Sequence, residues 1–185
     1  MAVETTLITA EELERMPGED AHVELVKGEI VRMSPAGTEH GEVAYNVVAV
    51  LIDYVRETKA GKIYLAETGF TLSRNPDTVR APDVAFVCAG RVATGPRNRG
   101  FFDGPPDLAV EVVSPGDSFD EVEGKALEYL NAGARMVWVV RPRAKTVTVY
   151  RSLSKIRVLT SDETLSGEDV MPGFGVRVSK LFDVS

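Results

Sequence analysis

Leu108-Ala109-Val110-Glu111-Val112-Val113 decides how this chain is read. Aliphatic residues occupy both faces of the segment, and Ser114-Pro115-Gly116 ends it, which is the pattern of a strand buried on both sides. A carboxylate in the middle of such a strand is costly to bury alone, so Glu111 predicts a cationic partner beside the sheet.

Upstream, Pro82-Asp83-Val84-Ala85-Phe86-Val87 opens a second apolar strand on a carboxylate, and the proline forces an extended entry. Two strand carboxylates side by side repel unless a proton or a metal intervenes. Hard divalent cations bind through one or two carboxylates with waters and substrate phosphate, so Asp83 and Glu111 suit magnesium or manganese. Downstream, Ser118 and Glu121 form a capping box for a helix that runs to Asn131 and stops at Gly133. Lys125 falls at the edge of the apolar face made by Val122, Ala126, Tyr129 and Leu130, where its ammonium can reach the sheet below. On this pattern alone two bland readings stay open. Glu111 and Lys125 also fit a buried structural ion pair, and Asp83 after a proline also fits a turn or cap residue.

Working outward, Thr9 and Glu12 form a capping box in residues 5 to 16, which predicts a short helix. His22 to Met33 reads as a hairpin turning near Lys27-Gly28. From Glu39 to Lys59, Val43, Ala44, Val47, Val48, Leu51 and Val55 recur at helical spacing, and Gly61 reads as the stop. Ile63 to Glu67, Phe70 to Ser73 and Asp83 to Cys88 are strand-like, and Ala89 to Pro106 reads as a long loop. Met136 to Val140 is a buried-type strand with Trp138 in the core. Thr146 to Arg151 alternates like a half-exposed one, and Ile156 to Thr160 adds an edge strand before a tail that docks apolar residues as loop. The expectation is α/β (α+β), a central mixed sheet flanked by helices in one domain over 1–185, with the helix and hairpin of 5–36 as an appendage.

At 185 residues and 44% hydrophobic content one sizeable core is available. One cysteine, Cys88, and two histidines, His22 and His40, give no zinc-site spacing. No signal-peptide or membrane-spanning pattern is present, so the expectation is a soluble, cytoplasmic chain. A net charge of -7 and pI near 5.0 exclude coating nucleic acid through a broad basic surface, but leave room for a carboxylate metal pocket with a local basic surface.

Pro82-Asp83, then Glu111 in a strand, then a lysine resembles the PD-(D/E)XK, restriction-endonuclease-like nuclease superfamily. The branch of small bacterial endonucleases is suggested by Glu24-Leu25-Val26-Lys27-Gly28-Glu29-Ile30, Met33-Ser34-Pro35 with His40 after it, Ala81-Pro82-Asp83-Val84, Val110 to Pro115, and Lys125, Tyr129, Gly133 and Trp138. The superfamily lysine lies two residues after the acidic residue, where this chain has Val113; the branch takes it from the following helix, the position of Lys125. The resemblance implies Mg2+ (or Mn2+) on Asp83, Glu111 and the Val112 backbone carbonyl, with Lys125 assisting a water that hydrolyses DNA, RNA being a further possible substrate. Glu24, His40 and Glu67 are auxiliary candidates. The alternative for Glu24 is an exposed hairpin residue, and for His40 a polar helix-start residue. Arg91, Arg97 and Arg99, before Phe101-Phe102, are candidate phosphate contacts, with a solvated loop as the alternative. A homo-oligomer fits duplex cleavage. The competing function is a catalytically silent nucleic-acid-binding or assembly module that keeps the fold.

Overall fold

The computed structural model describes residues 7–16, 23–94 and 100–183; His22, Arg97 and Arg99 lie outside them, as do residues 5 and 6 of the first helical segment. In chain order the elements are α1 (Ala10–Arg15), β1 (Val23–Val26), β2 (Glu29–Arg32), α2 (Thr38–Thr58), β3 (Gly61–Leu65), β4 (Phe70–Ser73), β5 (Thr78–Arg80), β6 (Val84–Cys88), α3 (Ala89–Thr94), β7 (Phe102–Asp103), β8 (Leu108–Val112), α4 (Phe119–Asn131), β9 (Met136–Arg141), β10 (Thr146–Ser152), β11 (Lys155–Leu159), β12 (Thr164–Ser166), β13 (Gly175–Arg177) and a closing 3-10 turn (Val178–Leu181).

The central sheet has six strands in the order β11-β10-β9-β8-β6-β3. β8 lies inside it, parallel to β9 and antiparallel to β6, and all of its side chains are buried. Alternation sends Val110 and Val112 to one face, where α2 lays Val43, Val47 and Leu51 and the C-terminal segment adds Phe174 and Leu181. Ala109, with Val137 and Val139 of β9, faces Val122, Ala126 and Tyr129 of α4 on the other side. A second sheet, β2-β1-β5-β4-β7, packs Phe70 against Ala85 and Val87 of β6 on this same side. α4 and the second sheet therefore share one face of the central sheet, and their seam runs over β8 and β6.

Both capping boxes form, Thr9 with Glu12 on α1 and Ser118 with Glu121 on α4. Four local expectations are corrected. The stop of α2 is Lys59, in the left-handed region at φ 57°, and Gly61 instead starts β3, where a Cβ would collide with the Val87 carbonyl. Part of the Ala89 to Pro106 loop is ordered as α3 and β7, because β7 pairs in parallel with β4. β10 is buried on both faces, since Thr148 and Tyr150 lie on the α4 side while Val147 and Val149 meet the C-terminal segment. The tail forms the β12–β13 hairpin and the 3-10 turn, and it docks Leu165, Val178 and Leu181 in the core. The 5–36 helix and hairpin are joined to the rest through β1, which pairs with β5 at Leu25 and Val79.

Asp77 ties α1 to the second sheet. Its Oδ2 accepts the Ala10 N–H at 2.8 Å and Arg74 Nη1 at 3.0 Å, and its Oδ1 accepts the Asn75 N–H at 3.1 Å. Burial pushes the Asp77 carboxyl up, but these donors outweigh it and leave it below its ordinary value. A lowered carboxyl stabilises the fold above its unfolded pKa, near 3.9, and that contribution is lost as pH falls through the folded value. Asp77→Asn is therefore expected to lower stability at neutral pH and to flatten the loss of stability below about pH 4, as read by urea titrations across pH.

Candidate active site

The site begins where two strands part. β6 and β8 pair as Val84 with Val110, Ala85 with Ala109 and Phe86 with Leu108, and continuing that register puts Asp83 opposite Glu111. Pro82 has no N–H to extend the ladder. Beyond Val110 the Asp83 side chain takes over, and its Oδ2 accepts the Val112 N–H at 2.7 Å. The same oxygen meets His40 Nε2, from the first turn of α2, at 3.1 Å. The hydrogen bond that His40 donates to Asp83 raises the His40 pKa against the opposing effect of burial, and the charges of Asp83, Asp117 and Glu111 add to it. Both of these contacts use Oδ2.

α4 brings its lysine down onto the strand. Lys125 Nζ stands 3.8 Å from Glu111 Oε2 and 3.3 Å from Glu24 Oε2. One turn further on, the fully buried Tyr129 donates its hydroxyl to Glu111 Oε1 at 2.9 Å. Glu24, on β1, is only 2% exposed, so it is not the exposed hairpin residue that was the alternative. Arg80 of β5 donates to Glu24 Oε2 at 2.6 Å and, through Nε, to Glu128 Oε2 on α4 at 2.7 Å, while the Ala81 N–H reaches Glu24 Oε1 at 3.1 Å. Second sheet, α4 and β8 thus meet through one charged network.

That network is short of positive charge. Four carboxylates, Glu24, Asp83, Glu111 and Glu128, face two permanent cations, Arg80 and Lys125. Burial pushes the Glu111 carboxyl up to about 8; Lys125 opposes the rise, and the charges of Asp83 and Glu24 reinforce it. Burial lowers the Lys125 pKa, but Glu111 and Glu24 outweigh it and raise it, so the lysine stays an ammonium. Tyr129 is raised well above the ordinary range by burial and the neighbouring Glu111, which keeps it a protonated donor.

The donor set fits a hard divalent cation held in part by solvent. Among the described residues no three His, Cys, Asp or Glu side chains converge on one metal position. Magnesium does not require three, since it keeps several waters and takes one or two carboxylates. Asp83 and Glu111, opposite each other at the open end of the β6–β8 ladder, offer two carboxylates of that kind.

The remaining candidates separate. Glu67 is an exposed turn residue with φ 73°, between β3 and β4. Arg91 Nη1 contacts Asp107 at 3.2 Å, and the guanidinium lies 5.4 Å from the centre of the Phe102 ring. Arg97 and Arg99 lie outside the described residues. The sequence reading missed Arg80, Glu128 and the hydroxyl role of Tyr129. A signal was present for Arg80: an arginine alternating with apolar Val79 and lying three residues before Asp83.

Comparison with known proteins agrees with this architecture. Among solved structures, one described as "a putative nuclease belonging to DUF820" from Anabaena variabilis ATCC 29413 has a TM-score of 0.81 to this chain. It is 24% identical, over 95% of this chain and 97% of that one, a likeness that concerns the fold and matches the restriction-endonuclease-like expectation. No curated protein matches. Residues 10–179, a span that holds every residue of the charged network, match the Uma2 family, described as "Putative restriction endonuclease". This chain belongs to the Uma2 family, within the restriction-endonuclease-like PD-(D/E)XK superfamily.

Proposed function

We propose that the chain is a metal-dependent endonuclease that hydrolyses phosphodiester bonds of DNA, with Mg2+ or Mn2+ held by Asp83, Glu111 and the Val112 carbonyl. The observation that carries this reading is Lys125 reaching a buried, undercompensated Glu111 that stands in register with Asp83. Family membership supports the nuclease class.

When bound, the cation supplies Lewis-acid polarisation of a phosphate oxygen and lowers the pKa of a water. The chain's own residues do the rest. Tyr129 fixes one oxygen of Glu111, so the other keeps a constant position. The Val112 N–H and His40 fix Asp83 in the same way. Lys125 offers three donors on a fixed charge, enough to orient a water and to neutralise charge growing on the phosphate. Arg80 holds Glu24 from the far side, so that carboxylate stays in place beside Lys125.

Asp83→Asn and Glu111→Gln are each expected to abolish cleavage of plasmid DNA in magnesium or manganese, and Lys125→Met to slow it by about 10²- to 10⁴-fold. Unchanged cleavage by the purified double variant Asp83→Asn/Glu111→Gln would falsify the assignment. Metal-independent DNA binding with no cleavage by the wild-type chain would select the silent binding module instead.

Stability gives a second check. A carboxyl raised in the fold is destabilising once pH exceeds its unfolded value, near 4.3, and the penalty grows until pH passes the folded value of about 8. In chelator at pH 8, Glu111→Gln is therefore expected to melt at or above the wild-type temperature. Adding magnesium should raise the wild-type midpoint and leave that of the variant unmoved. A structural ion pair would behave in the opposite way, with Glu111→Gln melting lower and magnesium without effect.

A further inference from the structure

Phe119, the first residue of α4, is 61% exposed, and the Arg141 guanidinium lies 5.6 Å from the centre of its ring. Register ties this pair to the candidate site. β8 and β9 run parallel, with Glu111 beside Val139 and Val112 beside Val140, so their C-terminal ends lie together. Val139 points to the α4 face, as Glu111 does, and Arg141 is two residues further along the same strand on the same face, a step of about 6.5 Å. Its Nη1 donates to Thr148 Oγ1 at 2.8 Å, which holds the side chain on that face. Phe119 stands at the end of the helix that carries Lys125.

Arg141 differs in charge pairing from the ion-paired arginines of the fold. Arg74, Arg80, Arg135, Arg151 and Arg157 each pair with a carboxylate, whereas Arg141 has no carboxylate partner among the described residues. In a chain of net charge -7, an arginine without a carboxylate that is stacked on an exposed ring at the catalytic end of the sheet suits an anionic, aromatic ligand. Nucleic acid with an unpaired base has both properties. Such a strand presents a phosphate for the guanidinium and a base for the open side of the ring.

We propose that Arg141 and Phe119 form a contact for single-stranded nucleic acid at the edge of the Asp83–Glu111–Lys125 site, Arg141 taking a backbone phosphate and Phe119 stacking an unpaired base. The proposal deepens the nuclease reading and rests on it for the identity of the neighbouring site. It makes frayed ends, forks and single strands better ligands than blunt duplex.

The test is binding of a short labelled single strand and of the matching blunt duplex to the intact chain, in chelator so that nothing is cut, with fluorescence anisotropy as readout. Phe119→Ala is expected to weaken the single strand about tenfold and to leave the duplex unchanged. Arg141→Ala should weaken both and reduce the slope of log K against log salt by about 0.7 to 0.9, whereas Arg143→Ala, an exposed neighbour, should change neither. The proposal is overturned if the wild-type chain binds neither oligonucleotide, or if both variants bind as the wild type does. A Phe119→Ala variant that alters only the sedimentation of the chain overturns it too, and gives the ring to a contact between copies. Lost binding in the variants of a wild-type chain that cuts nothing in magnesium or manganese upholds the contact and removes the nuclease reading.

Discussion

A carboxylate buried in the middle of an apolar strand needs company, and the arrangement around Glu111 follows from meeting that need only in part. Lys125 comes from one side, Tyr129 gives a hydroxyl, and Arg80 holds Glu24 close enough to share the lysine. The compensation is incomplete, because burial raises the Glu111 carboxyl more than Lys125 lowers it, and the charges of Asp83 and Glu24 add to the rise. A fold selected only for stability would do better with an apolar residue at this place. An undercompensated carboxylate beside a second one fits the proposed use of an added cation.

The two sheets and α4 have a common purpose in this light. α4 alone would cover β8, β9 and β10, and the second sheet alone would cover β6. Their seam is the place where polar groups from β1, β5, β8 and α4 can meet without breaking either apolar core. Arg80 spans that seam, with one nitrogen on Glu24 and another on Glu128. Its guanidinium is suited to the position because it stays charged and has donors pointing in several directions at once.

Much of this could be read in the sequence where local chemistry decides local structure. Thr9 with Glu12 and Ser118 with Glu121 announced their helices, because a capping box needs nothing outside its own turn. Glu111 was legible as a misfit in an apolar strand, and Lys125 as a charge at the edge of an apolar helix face. What could not be read depends on distant partners. β5 is three residues long and exists because β1 and β4 pair with its two edges. β7 exists because it lies against β4. Burial of Thr148 and Tyr150 depends on α4 and the tail lying on opposite sides of β10, which alternation within the strand cannot reveal. The second sheet was missed for this reason, and Arg80 with it.

The position of Lys125 has a further consequence. A lysine two residues after Glu111 would join the carboxylates as soon as the central strands paired, but here that position is Val113 and the cation arrives on a separate helix. Until α4 docks, β6 and β8 present two carboxylates with no ammonium beside them. On the proposed function, a chain whose α4 is not packed on the sheet lacks its lysine at the site and is harmless to the nucleic acid around it. With the lysine on a helix rather than on the strand, the proposed activity depends on α4 being packed against β8.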